Sequence, residues 1–234
     1  SLLESVFRVT RLDLPGHGRS RWDGPARLDD WTDAALATVP RPAVWLGWSL
    51  GGLVASRAAL RAPAQVTALV IVACTPCFVR KPGWQSAMLP DLLDTFAADL
   101  EQDYSRTLHR FLALQVRGSE HAGGVLRTLR KRLLAHGEPA TAALRAGLEI
   151  LRETDLRTSV AAIRCPVLLL AGERDTLVPV AAARAAAALY PAARLRVIEG
   201  AGHAPFIARP RQVAAIVQEF RVPAGSGQPG GHHG

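Results

Sequence analysis

Short apolar runs, most of them closed by glycine or an acidic residue, punctuate both ends of this chain. Phe7 to Leu12, Ala43 to Leu46, Val66 to Ala73, Val167 to Gly172 and Leu195 to Ile198 read as strands, since compact aliphatic runs between turn signals suit a buried pleated surface. Leu53 to Leu60, Val180 to Tyr190 and Pro210 to Phe220 carry helical spacing instead. From about Phe78 to Leu156 the pattern is helical throughout, with no convincing strand. Strand and helix therefore alternate, break off, and resume at Pro166. That rhythm predicts an α/β fold, a mostly parallel sheet flanked by helices, with an all-helical insertion lying as a lid over the strand ends. The expected divisions are core residues 1–77, a helical lid over 78–156, the second part of the core over 157–222, and a Gly/Pro/Ser-rich tail over 223–234 that is too poor in apolar residues to pack.

Composition agrees with one globular unit: 234 residues, 49% hydrophobic, are enough for a sizeable single core. No uncharged apolar run reaches the length of a membrane span, and no basic-then-apolar signal segment opens the chain, so a cytoplasmic protein without membrane association is expected. The net charge of +8 is carried almost wholly by arginine, Lys81 and Lys131 being the only lysines. A pI near 10.6 raises nucleic-acid binding as a possibility. The basic residues are dispersed, however, lack interleaved aromatics and match no helix-turn-helix, RNP-like or zinc-finger spacing. No nucleic-acid partner is expected, and an acidic protein or anionic substrate carrier accounts for the charge at least as well.

The chemistry concentrates in Gly47-Trp48-Ser49-Leu50-Gly51, a G-x-S-x-G pentapeptide between the strand ending at Leu46 and the helix from Leu53. A structural turn is the plain reading of five such residues. Between strand and helix they instead suit a nucleophile elbow: Gly47, Gly51 and Gly52 let the two elements pack closely, and the helix N-terminus behind Ser49 offers free N–H groups to an oxyanion. The orienting acid and the base should then follow at later strand ends. Asp175 lies just beyond Val167 to Gly172, ahead of Pro179, although helix capping is an equal use for a lone aspartate there. His203 follows Leu195 to Ile198 between Gly200 and Gly202, glycines that suit an imidazole swinging between nucleophile and leaving group. Ser49, Asp175 and His203 agree in order and in placement, which selects a serine hydrolase needing no metal or organic cofactor.

The remaining candidates carry less. His17, in a Gly/Pro loop, reads as structural; His109, His121 and His136 read as solvated; His232 and His233 sit in the tail with nothing rigid to hold a metal. Cys74-Thr75-Pro76-Cys77 has the spacing of a redox pair, yet no helix begins at Cys74, and with Cys165 the three cysteines make no disulfide framework.

Asp13 to Ser20, Trp45 to Ser56, Arg110 to Gln115, Gly147 to Leu151 and Ala204 to Phe206 together resemble the pimeloyl-acyl-carrier-protein methyl ester esterases of biotin synthesis, a family of the α/β-hydrolase superfamily. The similarity runs from about Phe7 to Phe220. It implies Ser49 as nucleophile, Asp175 as orienter, His203 as base, and the N–H of Leu50 as an oxyanion donor. Phe111, Leu112, Ala113, Leu114 and Gln115 would line the acyl channel, and Arg106, Arg110 and Arg127 would grip an acidic acyl-carrier protein bearing the pimeloyl methyl ester. Gly123 stands where another arginine is expected, with Arg130, Lys131 and Arg132 close by; an ordinary solvated helix face is the other use of this cluster. The family opens with a strand ending in His-Gly-Trp-Gly that supplies a second oxyanion donor. No such segment precedes Phe7, and Ser1 to Ser5 resembles the helix that follows it, so a missing N-terminal piece and impaired turnover are expected. A monomer is expected. The competing readings are a general short-chain esterase or lactonase of the same fold and, outside the enzymes, a binding scaffold.

Overall fold

The computed structural model describes residues 2–21, 24, 27–39, 41–133, 135 and 140–220. Its sheet is parallel throughout, with strands β1 (Ala43–Trp48), β2 (Val66–Val72), β3 (Val167–Gly172) and β4 (Ala193–Ile198) in the order β1-β2-β3-β4. β3 is buried along its whole length and β2 at all but one position, which is why both read as continuous apolar runs rather than alternating ones. β1 alternates instead: Trp45 and Gly47 are buried while Val44 and Leu46 are exposed. The register pairs Trp48 with Val72, Val72 with Leu170, and Gly172 with Ile198. Every strand therefore ends at one common edge, and the segments after Trp48, Gly172 and Ile198 meet there.

Helices close both faces. On one, α1 (Leu28–Thr38), α2 (Leu50–Arg61) and α7 (Val180–Ala187) supply Trp31, Leu53 and Ala186 to the larger core cluster. On the other, α9 (Pro210–Glu219) packs Val213 and Val217 against Val70, Leu168 and Ile198. Between β2 and β3 the chain forms α3 (Pro90–Gln102), α4 (Tyr104–Val116), α5 (Ala122–Leu133) and α6 (Thr141–Glu153). Pro90 opens α3, where a missing N–H costs nothing, and the Asp103 carboxylate caps α4 by accepting from Arg106 N at 3.0 Å. α8 (Pro205–Ala208) is a single turn just after His203.

The structure departs from the sequence reading in several places. Residues 7–12 form no strand. Phe7 and Leu12 are half-buried against the two core clusters, but the backbone pairs with no strand among the described residues. The apolar residues of the run turn inward, but composition alone did not supply a ladder partner. Residues 2–7 make one turn, with Phe7 N–H donating to Leu3 O at 2.9 Å, rather than a helix. α7 ends at Ala187, three residues short of Tyr190, which is buried beyond the helix end. The expected tail lies outside the described residues, as does His136.

Candidate active site

Ser49 is the N-cap of α2 and holds φ 52°, ψ −122°, a conformation that L-residues avoid. Its N–H donates to Val72 O at 2.9 Å and its carbonyl accepts from Gly52 N at 2.8 Å, so the turn is tied to both the neighbouring strand and its own helix. A Cβ at Gly47 would lie 2.1 Å from Gly51 O, closer than any real contact. Strand and helix thus cross at a separation only glycine permits at position 47. At Gly51 an added Cβ would meet nothing within 4 Å, so it is the carbonyl of this glycine, not its missing side chain, that shapes the elbow. Leu50 is the first helical residue, and its N–H has no acceptor within the helix.

Asp175 and His203 sit on the loops after β3 and β4, and both are buried. Asp175 Oδ2 lies 2.8 Å from His203 Nδ1, while Oδ1 accepts from Leu177 N at 2.8 Å and Val178 N at 2.9 Å. A carboxylate anchored by two amides accepts rather than donates, which places the imidazole proton on Nδ1. Nε2 is left as a lone-pair acceptor, and it is buried without a hydrogen-bond partner among the described residues. The neighbouring elbow residue Trp48 donates from Nε1 to His203 O at 2.8 Å, and the Trp48 and His203 rings stand 5.8 Å apart. The Phe78 ring meets His203 edge-on at 6.2 Å. Phe78 also lines, with Ser49, Met88, Phe96, Phe111 and Gln115, a narrow apolar pocket. A serine on a strained turn, an acid-oriented imidazole with a free Nε2, and an apolar pocket occupy one end of one sheet.

The Alpha/beta hydrolase family model matches residues 1–216. The chain belongs to that family. At 48% identity over 214 residues, covering 92% of this hydrolase and 84% of its relative, it is similar to the pimeloyl-[acyl-carrier protein] methyl ester esterase of Xanthomonas axonopodis pv. citri (strain 306). The esterase of the same name from Xylella fastidiosa (strain M12) is 49% identical over 212 residues, covering 89% and 82% of the two chains. Among solved structures, a hydrolase from Pseudomonas aeruginosa PA01 superposes with a TM-score of 0.78 at 29% identity, over 94% of this chain and 81% of that one. An esterase from Exiguobacterium antarcticum shares the fold at a TM-score of 0.80 and 21% identity, over 89% and 79%.

The α4 segment singled out in the sequence divides by helical geometry. Phe111 and Gln115, one turn apart, face the Ser49 cavity. Leu112 points into a separate cluster with Leu108, Val116 and Leu129. Ala113 and Leu114 line a second, open groove with Phe96, Arg110 and Leu126. Of the basic residues, Arg106 and Arg127 are exposed, whereas Arg110 is engaged with Asp99, Nη1 to Oδ2 at 2.5 Å. His17 Nδ1–H donates to Pro15 O at 3.0 Å, and its ring meets Trp31 edge-on; burial pushes its pKa down. His109 and His121 are exposed. The Cys74 thiol is pushed up to about 12 by burial and the Cys77 thiol is raised for the same reason, which removes the thiolate that exchange chemistry needs.

Sequence reasoning passed over three residues that hold the histidine loop of this hydrolase: Trp48, Ser119 and Glu120. Trp48 occupies an unspecified position of the pentapeptide, and nothing local marked its indole. Ser119 Oγ accepts from Gly202 N at 2.8 Å, and Glu120 N–H donates to Gly200 O at 2.8 Å. Gly202 is accordingly a residue of close approach, since a Cβ there would stand 2.8 Å from both Arg117 O and Ser119 Oγ. The glycines beside His203 admit a neighbouring turn; the swinging imidazole expected from them is not what the packing requires.

Proposed function

We propose that this hydrolase cleaves the methyl ester of a pimeloyl chain borne on acyl-carrier protein, in biotin precursor synthesis, acting as a cytoplasmic monomer. Ser49 Oγ attacks the ester carbonyl as His203 Nε2 takes its proton; Asp175 holds the ring and offsets the imidazolium charge. The Leu50 N–H donates to the tetrahedral oxyanion. Collapse expels methanol, which receives the proton from Nε2. Water, deprotonated by the same nitrogen, then releases the free carboxylate and restores Ser49. The helices over 78–156 act as the lid: Phe111 and Gln115 border the reacting ester, and Arg106 and Arg127, with Arg110, draw the acidic carrier to its mouth.

The observation that carries the chemistry is the 2.8 Å bond between Asp175 and His203, which leaves a buried, unengaged Nε2 at the strand edge where Ser49 stands. The names of the relatives support the substrate. Methanol release from methyl pimeloyl carrier protein tests both. Ser49→Ala should lower kcat by roughly 10⁴-fold or more, and a fluorophosphonate should label Ser49 alone in the parent protein. Undiminished turnover in Ser49→Ala would end the assignment. Equal kcat/KM on carrier-bound and free methyl esters would leave a general short-chain esterase.

A further inference from the structure

We propose that the turn between α4 and α5 is the positioning device for the His203 imidazole, with Ser119 Oγ as its decisive contact. The inference rests on His203 being the base. Among the described residues the ring makes a single hydrogen bond, to Asp175, so the backbone of residues 200–204 must carry it into place. That backbone is held from two sides, the sheet-end loops and the helical insertion. Ser119 Oγ takes the Gly202 N–H at 2.8 Å, and Ser119 is only 8% exposed. Next to it, Glu120 N–H donates to Gly200 O at 2.8 Å, and the Glu120 carboxylate accepts from Arg209 Nη2 on the far side of the same loop. On the core side, Glu173 Oε2 accepts from Gly200 N at 3.0 Å and Trp48 Nε1 holds His203 O.

The turn belongs to the helical insertion, not to the sheet. It therefore fixes one member of the site while contributing no reacting atom, and it does so through an amide that is buried once the turn has docked. Removing the hydroxyl leaves the Gly202 N–H without its partner and frees the loop to relax away from Asp175. The alternative role for Ser119 is filler, in which case its hydroxyl would not matter.

Three readouts separate these. In Ser119→Ala, kcat on a small neutral ester should fall roughly tenfold with KM held within about twofold, since no substrate contact is lost. The far-downfield proton resonance of the Nδ1–H···Oδ2 bond should broaden or vanish. Ser119→Thr, which keeps the acceptor, should recover both. An unchanged kcat with the resonance intact in Ser119→Ala overturns the proposal, as do equal losses in the Ala and Thr variants, which would make Ser119 a packing residue. Should Ser119→Ala fail to fold, Ser119→Cys keeps a similar side-chain size and puts a far weaker acceptor opposite the Gly202 N–H. A sharp resonance and parental kcat in that variant likewise overturn the proposal. Retained turnover in Ser49→Ala would instead strike the triad reading and leave the clamp geometry untouched.

Discussion

Ser49 is held by its surroundings in a backbone conformation that favours glycine. Conformations of this kind cost about 1–3 kcal/mol for a residue with a Cβ and persist only where neighbours over-determine them, here through Val72 O and Gly52 N. Two inactive variants should thus differ in stability. Ser49→Ala keeps the strain and should melt close to the parent, whereas Ser49→Gly relieves it and should be more stable by about 1 kcal/mol in chemical denaturation. If the glycine variant proves less stable than the alanine variant, the elbow is not strained. At this scale the sequence was most informative about the reacting groups. Ser49, Asp175 and His203 each sit where a strand ends, and the order of the three constrains the reading more than any residue alone. Ser119 was illegible because its partner Gly202 is 83 residues away and a serine in a polar turn has many ordinary uses.

Between elements, the crossing of β1 and α2 sets the tolerance of the motif glycines. Gly47→Ala would drive a methyl group into Gly51 O and force strand and helix apart, costing about 3 kcal/mol or more and lowering turnover with it. Gly51→Ala meets open space inside a helix and should fold normally, with a gain of up to about 1 kcal/mol from helix propensity. Thermal melts of the pair check this directly; equal destabilisation would show that the added Cβ is not the cause. The buried strands β2 and β3 and the helices beside them were readable from apolar runs, because burial on both faces leaves an unmistakable composition. Residues 7–12 carry a strand-like composition without forming a strand, because half-buried apolar residues before a turn need not meet a ladder partner. In α4 the run Phe111 to Gln115 was taken as a unit, yet a helix turns its neighbours toward different surroundings, and only Phe111 and Gln115 reach the Ser49 cavity.

Over the whole molecule, the proposed docking of an acidic carrier is a matter of charge rather than packing. Arg110 is already paired with Asp99, so reversing it would create repulsion inside the fold and confuse binding with stability. Arg106 and Arg127 are the cleaner probes, being exposed. The double reversal Arg106→Glu, Arg127→Glu should lower kcat/KM for carrier-bound ester by tenfold or more at low salt, with the deficit shrinking as salt rises toward about 0.5 M. Hydrolysis of a small neutral ester should stay near parental. Equal loss on both substrates would remove these arginines from docking. No helix among the described residues is long and apolar enough to cross a membrane.

β1 carries a different consequence at this scale. Val44 and Leu46 are 39% and 48% exposed on a strand that, among the described residues, is laddered only to β2. A greasy strip beside unused amide and carbonyl groups is a template for copies of the same strand, and no lysine or proline stands within β1 to deter stacking. With that edge open, light scattering should rise with concentration before any loss of helical signal. Leu46→Lys should raise the concentration at which scattering begins while turnover at Ser49 stays unchanged.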